Sequence, residues 1–156
     1  MSKGWKSISG FLIKCSGGII AWSSKQQVII ALLSCKAEYI VCSHCAWQIL
    51  WQRSLFEELG FHQTHTTLLY CDNQGTIACT HDPQLHSHMK HINIQAHFIR
   101  DVVNHQLINI HHIPGIENPA DLMTKPLHQT IHLKWLVCIS MDKDPGPKSI
   151  QVTRGC

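Results

Sequence analysis

The chain has 156 residues, enough for one domain of ordinary size and too few for two. Apolar residues make up 44% and charged residues 15%, so a core can form and global disorder is argued against. A formal charge of +3 permits a polyanionic partner without demanding one. Eight cysteines in a chain this long do not suggest a small disulfide scaffold. The stretch after Met1-Ser2-Lys3-Gly4-Trp5-Lys6 is too short in apolar residues for a signal peptide, and no apolar run approaches the roughly 20 residues of a bilayer span. These features lead us to expect an intracellular, reduced protein with thiols in place of disulfides.

In chain order, Gly10 to Cys15 and Ile19 to Ser24 read as strands joined by a turn at Ser16-Gly17-Gly18, a hairpin. Gln26 to Leu33 is a β-branched connection with some strand character. Ser34 can cap a long helix ending at Gly60. Glu38, Val41, Cys45, Ile49, Gln52, Leu55 or Phe56, and Leu59 recur at three- and four-residue steps, which predicts one sheet-facing stripe. Thr66 to Cys71 reads as a buried strand, followed by a short helix capped by Asp72 or Asn73. A loop from His81 to His88 precedes a helix over 89–105. Leu107 to Ile113 is a further strand. Asn118-Pro119-Ala120-Asp121 is a helix start, with a capping Asn and Pro at the first helical position. His128 to Cys138 is a final amphipathic helix. Residues 139–156, with Asp142-Lys143-Asp144-Pro145-Gly146-Pro147, read as a disordered polar tail after a domain spanning 1–138. This order predicts an α/β domain with a mixed sheet.

Three acids occupy special places. Glu38 lies near a helix start, Asp72 at the carboxyl end of a buried strand, and Asp121 in a capped first turn. The carboxyl ends of strands in α/β sheets are where sites form. Carboxylates converging there repel unless a hard cation neutralises them, and Mg²⁺ favours such oxygen donors. The bland alternative is that all three are ordinary cap and first-turn acids complementing helix dipoles.

Several stretches, in order, carry a resemblance. They are Lys6-Ser7-Ile8-Ser9-Gly10-Phe11, Ile20-Ala21-Trp22-Ser23-Ser24-Lys25-Gln26, and Leu33-Ser34-Cys35-Lys36-Ala37-Glu38-Tyr39-Ile40. Leu69-Tyr70-Cys71-Asp72-Asn73-Gln74, His86-Ser87, Lys90-His91-Ile92 and His97-Phe98-Ile99-Arg100 continue the series. Pro119-Ala120-Asp121-Leu122-Met123-Thr124-Lys125-Pro126-Leu127 completes it. Over about residues 6 to 136 the chain resembles the RNase H domain of copia-type LTR retrotransposon Pol polyproteins. The resemblance implies a ribonuclease H-like α/β fold, a mixed sheet flanked by helices. It implies two Mg²⁺ ions held by four carboxylates, and cleavage of the RNA strand of an RNA–DNA hybrid. Glu38, Asp72 and Asp121 match the second, third and fourth carboxylates, as catalytic and metal-ligating residues.

The resemblance also implies a gap. The family's first carboxylate lies on the central strand, upstream of the Lys-Ser-x-Ser-Gly motif that begins here at Lys6. Met1 to Trp5 contain no acid and are too few for that strand. We therefore expect a sheet lacking its first, central strand, weak or absent Mg²⁺ binding, and loss of cleavage in the isolated chain. A partner chain or an upstream Pol segment supplying the strand would restore it. The alternatives are a non-catalytic nucleic-acid-binding module and an inert structural remnant. Only three arginines occur (Arg53, Arg100, Arg154) against 13 histidines, 8 cysteines and 5 tryptophans. Trp5 stands where the family commonly has Arg, as decay of methylated CG codons would leave it.

Other features have blander readings. His86, His88 and His91 with Cys71 and Cys79 lack the paired spacing of a structural zinc site. Cys42 and Cys45, mid-helix, are expected to be core thiols, and Trp47 and Trp51 a packing pair or a partly exposed face. Lys25, Lys90, Arg100 and Lys125 are the basic residues placed to meet phosphates.

Overall fold

The computed structural model describes residues 8–26, 34–81, 93–139 and 150–155. Two strands, β1 (Ile8–Cys15) and β2 (Gly18–Gln26), form the expected antiparallel hairpin, with a register shift between Ile13 and Lys14. Helix α1 (Ser34–Glu58) follows, then β3 (Thr67–Cys71), α2 (Gln74–His81), α3 (Asn93–Asn104) and β4 (Ile108–His112). Two 3₁₀ turns, Gly115–Glu117 and Pro119–Met123, lead to α4 (Gln129–Ile139) and a last strand, β5 (Ile150–Gly155). The expected strand character of 26–33 and the 81–88 loop fall largely outside the described residues.

The five strands make one mixed sheet in the order β2-β1-β5-β3-β4. β3 and β4 are parallel, in register from Thr67↔Ile108 to Cys71↔His112. β5 lies between the two halves, antiparallel to β1 and parallel to β3. Two expectations change here. The sheet does not lack a central strand, and residues 150–155 of the expected tail are the strand that occupies the centre. The physical reason is that β1 and β3 each present a row of backbone donors and acceptors that must be paired when buried.

Helices α1 and α3 cover one face. Their buried side chains, Cys42, Cys45, Ala46, Ile49, Ile99 and Val102, pack with Ile13, Leu69, Cys71, Ile108 and Ile110 of the strands. The Cys42 and Cys45 side chains are fully buried in this core, as expected. The stripe on α1 differs from expectation at its end, where Leu59 is 61% exposed. There the helix turns Arg53 and Phe56 inward instead. Arg53 donates to the carbonyls of Gln63 (2.9 Å) and His65 (2.8 Å) and to Thr67 Oγ1 (2.9 Å). Phe56 meets Phe61 edge to face. Gly60, at φ 82°, closes the helix: its N–H donates to Glu57 O and the N–H of Phe61 to Phe56 O, a Schellman pair.

The opposite face is covered by the Pro119–Met123 turn, which packs on β1, β5 and α4. Gly10 in β1 allows the approach, because a Cβ there would lie 2.7 Å from Met123 Cβ. Lys14 Nζ donates to Cys138 O of α4 at 2.9 Å.

Candidate metal centre

β3 delivers Asp72. The strand ends at Cys71, whose carbonyl accepts from Ile113 N at 3.0 Å, and the chain then bends. Asn73 caps α2, with its Oδ1 accepting from Thr76 N at 2.9 Å. Asp72 is thereby released from the capping role that either residue could have taken. Its Oδ1 is buried without a hydrogen-bond partner among the described residues. Its Oδ2 faces the backbone of Gly115, where a Cβ would stand 3.8 Å away.

The 3₁₀ turn delivers Asp121. Asn118 is fully buried and its Oδ1 accepts from Ala120 N at 3.1 Å; Pro119 takes the first helical position. The local signature thus acts as expected, although the element it starts is one 3₁₀ turn and not an α-helix. Asp121 is 8% exposed. Lys125 Nζ donates to its Oδ1 at 3.0 Å. Burial pushes the Asp121 carboxyl above its ordinary range; Lys125 works against that, and the charge of Asp72 adds to it. Asp72 and Asp121 are thus close enough to repel, as the sequence pattern leads one to expect.

Glu38 lies in the first turns of α1, but its side chain is outside the described residues, as are His86, His88 and His91. Among the described residues no group of three or more His, Cys, Asp and Glu side chains is arranged to hold a metal ion. The pair that is described fits a hard divalent cation: its donors are all oxygen, and one is a buried acceptor with nothing to accept from. Two residues escaped the sequence reading. The Asp121–Lys125 ion pair was signalled by i,i+4 spacing; the apposition of Gly115 to Asp72 had no local signal.

The basic and aromatic features sort themselves simply. Lys125 is committed to Asp121. Trp47 stacks on Phe98 with ring centroids 4.2 Å apart, while Trp51 is 60% exposed.

Comparison with known proteins gives three close matches in kind. A retrovirus-related Pol polyprotein from transposon TNT 1-94 of Nicotiana tabacum is 38% identical over 120 residues, 77% of this chain and 9% of that protein. Those from transposons RE1 and RE2 of Arabidopsis thaliana are 34% identical over 139 residues and 36% identical over 121. These cover 89% and 78% of this chain, and 10% and 8% of the relatives. The chain is homologous to a segment of copia-type transposon Pol polyproteins. It spans about a tenth of the length of those relatives. No family model and no solved structure matches it. No helix among the described residues is long and apolar enough to cross a membrane.

Proposed function

We propose that this Pol segment is an RNase H-like domain whose ancestral reaction is Mg²⁺-dependent endonucleolytic cleavage of RNA in RNA–DNA hybrids. The observation that carries the proposal is the meeting of Asp72, at the end of a parallel strand, with Asp121, in a buried turn, around an oxygen that has no partner. In this reading Asp72 and Asp121 hold the cation side of the site, with Glu38 as a third ligand. Bound Mg²⁺ supplies activation of the attacking water and stabilisation of the leaving oxygen. Lys125 holds Asp121 in place and offsets its charge when no cation does. The hybrid's phosphates bring the remaining oxygens.

The isolated chain is proposed not to cleave. The central strand, Ile150-Gln151-Val152-Thr153-Arg154-Gly155, contributes no carboxylate. Loss of one member of a site that works as a unit costs several orders of magnitude in rate. An upstream Pol segment or a partner chain bringing a strand with an acid is the proposed remedy.

A fluorescent RNA–DNA hybrid incubated with Mg²⁺ and the full chain, beside Asp72→Asn, tests this. Salt-dependent binding without cleavage is the expected outcome. Cleavage that Asp72→Asn abolishes would contradict the loss, and absence of binding at low salt would contradict the nucleic-acid reading altogether.

A further inference from the structure

β5 is an unusual central strand. Strands buried on both faces and paired on both edges are ordinarily rich in Val, Ile and Leu. β5 carries Gln151, Thr153 and Arg154 among its six residues. Of the described elements it is the last in the chain, and it enters the sheet between two strands that come from the body of the fold.

Its register places one position beside the two acids. In the antiparallel pairing Gly155 stands opposite Gly10, and Thr153 opposite Leu12. Paired residues share a face of a sheet. Gly10 faces the turn that carries Asp121, since Met123 and Thr124 would crowd a Cβ there. Position 155 therefore lies on that same face. In the parallel pairing Thr153 is level with Tyr70. Two residues on, by the same register, position 155 comes level with Asp72. It is thus flanked by Asp72 on one side and overlain by the turn of Asp121, and it is a glycine.

We propose that β5 is an exchangeable occupant of a strand-accepting slot between β1 and β3. Its natural competitor is an extended segment with Asp or Glu at the level of Gly155. This inference rests on the cation-binding reading above and gives that site a partner of defined orientation: antiparallel to β1, parallel to β3. The slot recognises main-chain donors and acceptors, which any extended segment offers. The choice between occupants then falls to the acid, which a divalent cation shared with Asp72 and Asp121 rewards. The relatives are about ten times longer than this chain, so such a segment has room elsewhere in a Pol polyprotein.

Two measurements on the full chain test the proposal. In the first, Gly155→Asp is titrated with Mn²⁺ by calorimetry. Affinity should rise by about tenfold or more over the unsubstituted chain, as added ligand charge does at hard-cation sites, and the gain should vanish when Asp72→Asn is added. An unchanged affinity, with the β5 amides protected from hydrogen exchange, would overturn the assignment of position 155. In the second, the unsubstituted chain meets two labelled peptides, Ile-Gln-Val-Thr-Arg-Gly and Ile-Gln-Val-Thr-Arg-Asp. Binding of the acidic peptide that requires Mn²⁺ supports exchange; equal binding of both, or none, overturns it. This arm stands even if Gly155→Asp fails to fold. A tighter cation site that still leaves the hybrid intact and unbound would keep this inference and count against the nuclease reading.

Discussion

The face of the sheet beneath α1 and α3 and the face beneath the Pro119–Met123 turn bury different things. On the first, Ile13, Ile49, Leu69, Ile99 and Ile108 are at most 1% exposed and interlock as a continuous aliphatic layer. On the second, the buried residues include Asn118 and Asp121, and Asp72 keeps an oxygen without a partner. The helical face gains stability from burial. The turn face gives some of it up, because a carboxylate held out of water near a second one is disfavoured in its charged form. Groups so arranged mark functional sites more often than structural ones.

That contrast can be broken by substitution. The largest effect belongs to the helical face: Leu69→Ala or Ile49→Ala should cost about 2–5 kcal/mol in a denaturant melt. A loss under about 1 kcal/mol would mean the layer is loosely packed.

On the turn face the sign reverses. Asp121→Asn should raise the melting temperature at neutral pH by a few degrees. The raised carboxyl pKa means that the folded state binds this proton more tightly than the unfolded chain does. Stability is therefore lost as pH rises from the unfolded value, about 3.9, through the folded one, and the cost is complete above it. The advantage of Asp121→Asn should accordingly fade as pH falls below about 4. An Asp121→Asn chain that is less stable at pH 7 would contradict this.

A smaller effect sharpens the link between the two acids. Carboxyl chemical shifts followed through acid should show Asp121 titrating above the ordinary aspartate range. Asp72→Asn should lower that midpoint without restoring it, since burial is the larger cause and Asp72 the lesser. No movement would place the acids too far apart to share a cation. The smallest effect is expected outside both faces: Trp51→Ala, at a position 60% exposed, should change stability by no more than about 0.5 kcal/mol.

How much of this could be read from the sequence depends on how local the signal was. The β1–β2 hairpin, α1 with its Gly60 terminus, β3 and the Asn118-Pro119 turn start are specified by neighbours a few residues apart, and they form close to where the pattern puts them. The pairing of Asp72 with Asp121 was legible because each sits at an element boundary of recognisable type. β5 was not. Ile150-Gln151-Val152-Thr153 does alternate, but the run is short, polar and preceded by Pro145-Gly146-Pro147, a pattern that also fits a loose end. What makes it a strand is the slot between β1 and β3, whose walls are more than 75 residues away in sequence. The outward placement of Leu59 was hidden for a related reason: Arg53 and Phe56 are drawn to the 61–67 loop, which a helical repeat alone does not encode.

The central claim is that Asp72 and Asp121 form one cation-binding pair. Paramagnetic broadening by Mn²⁺, followed residue by residue in an NMR spectrum of the full chain, tests it most directly. The account predicts that low Mn²⁺ broadens the signals of Asp72, Gly115 and Asp121 first, and that Asp72→Asn removes the effect. Broadening centred instead on the exposed Glu57 and His62 pair, with Asp72 and Asp121 left sharp, would contradict it.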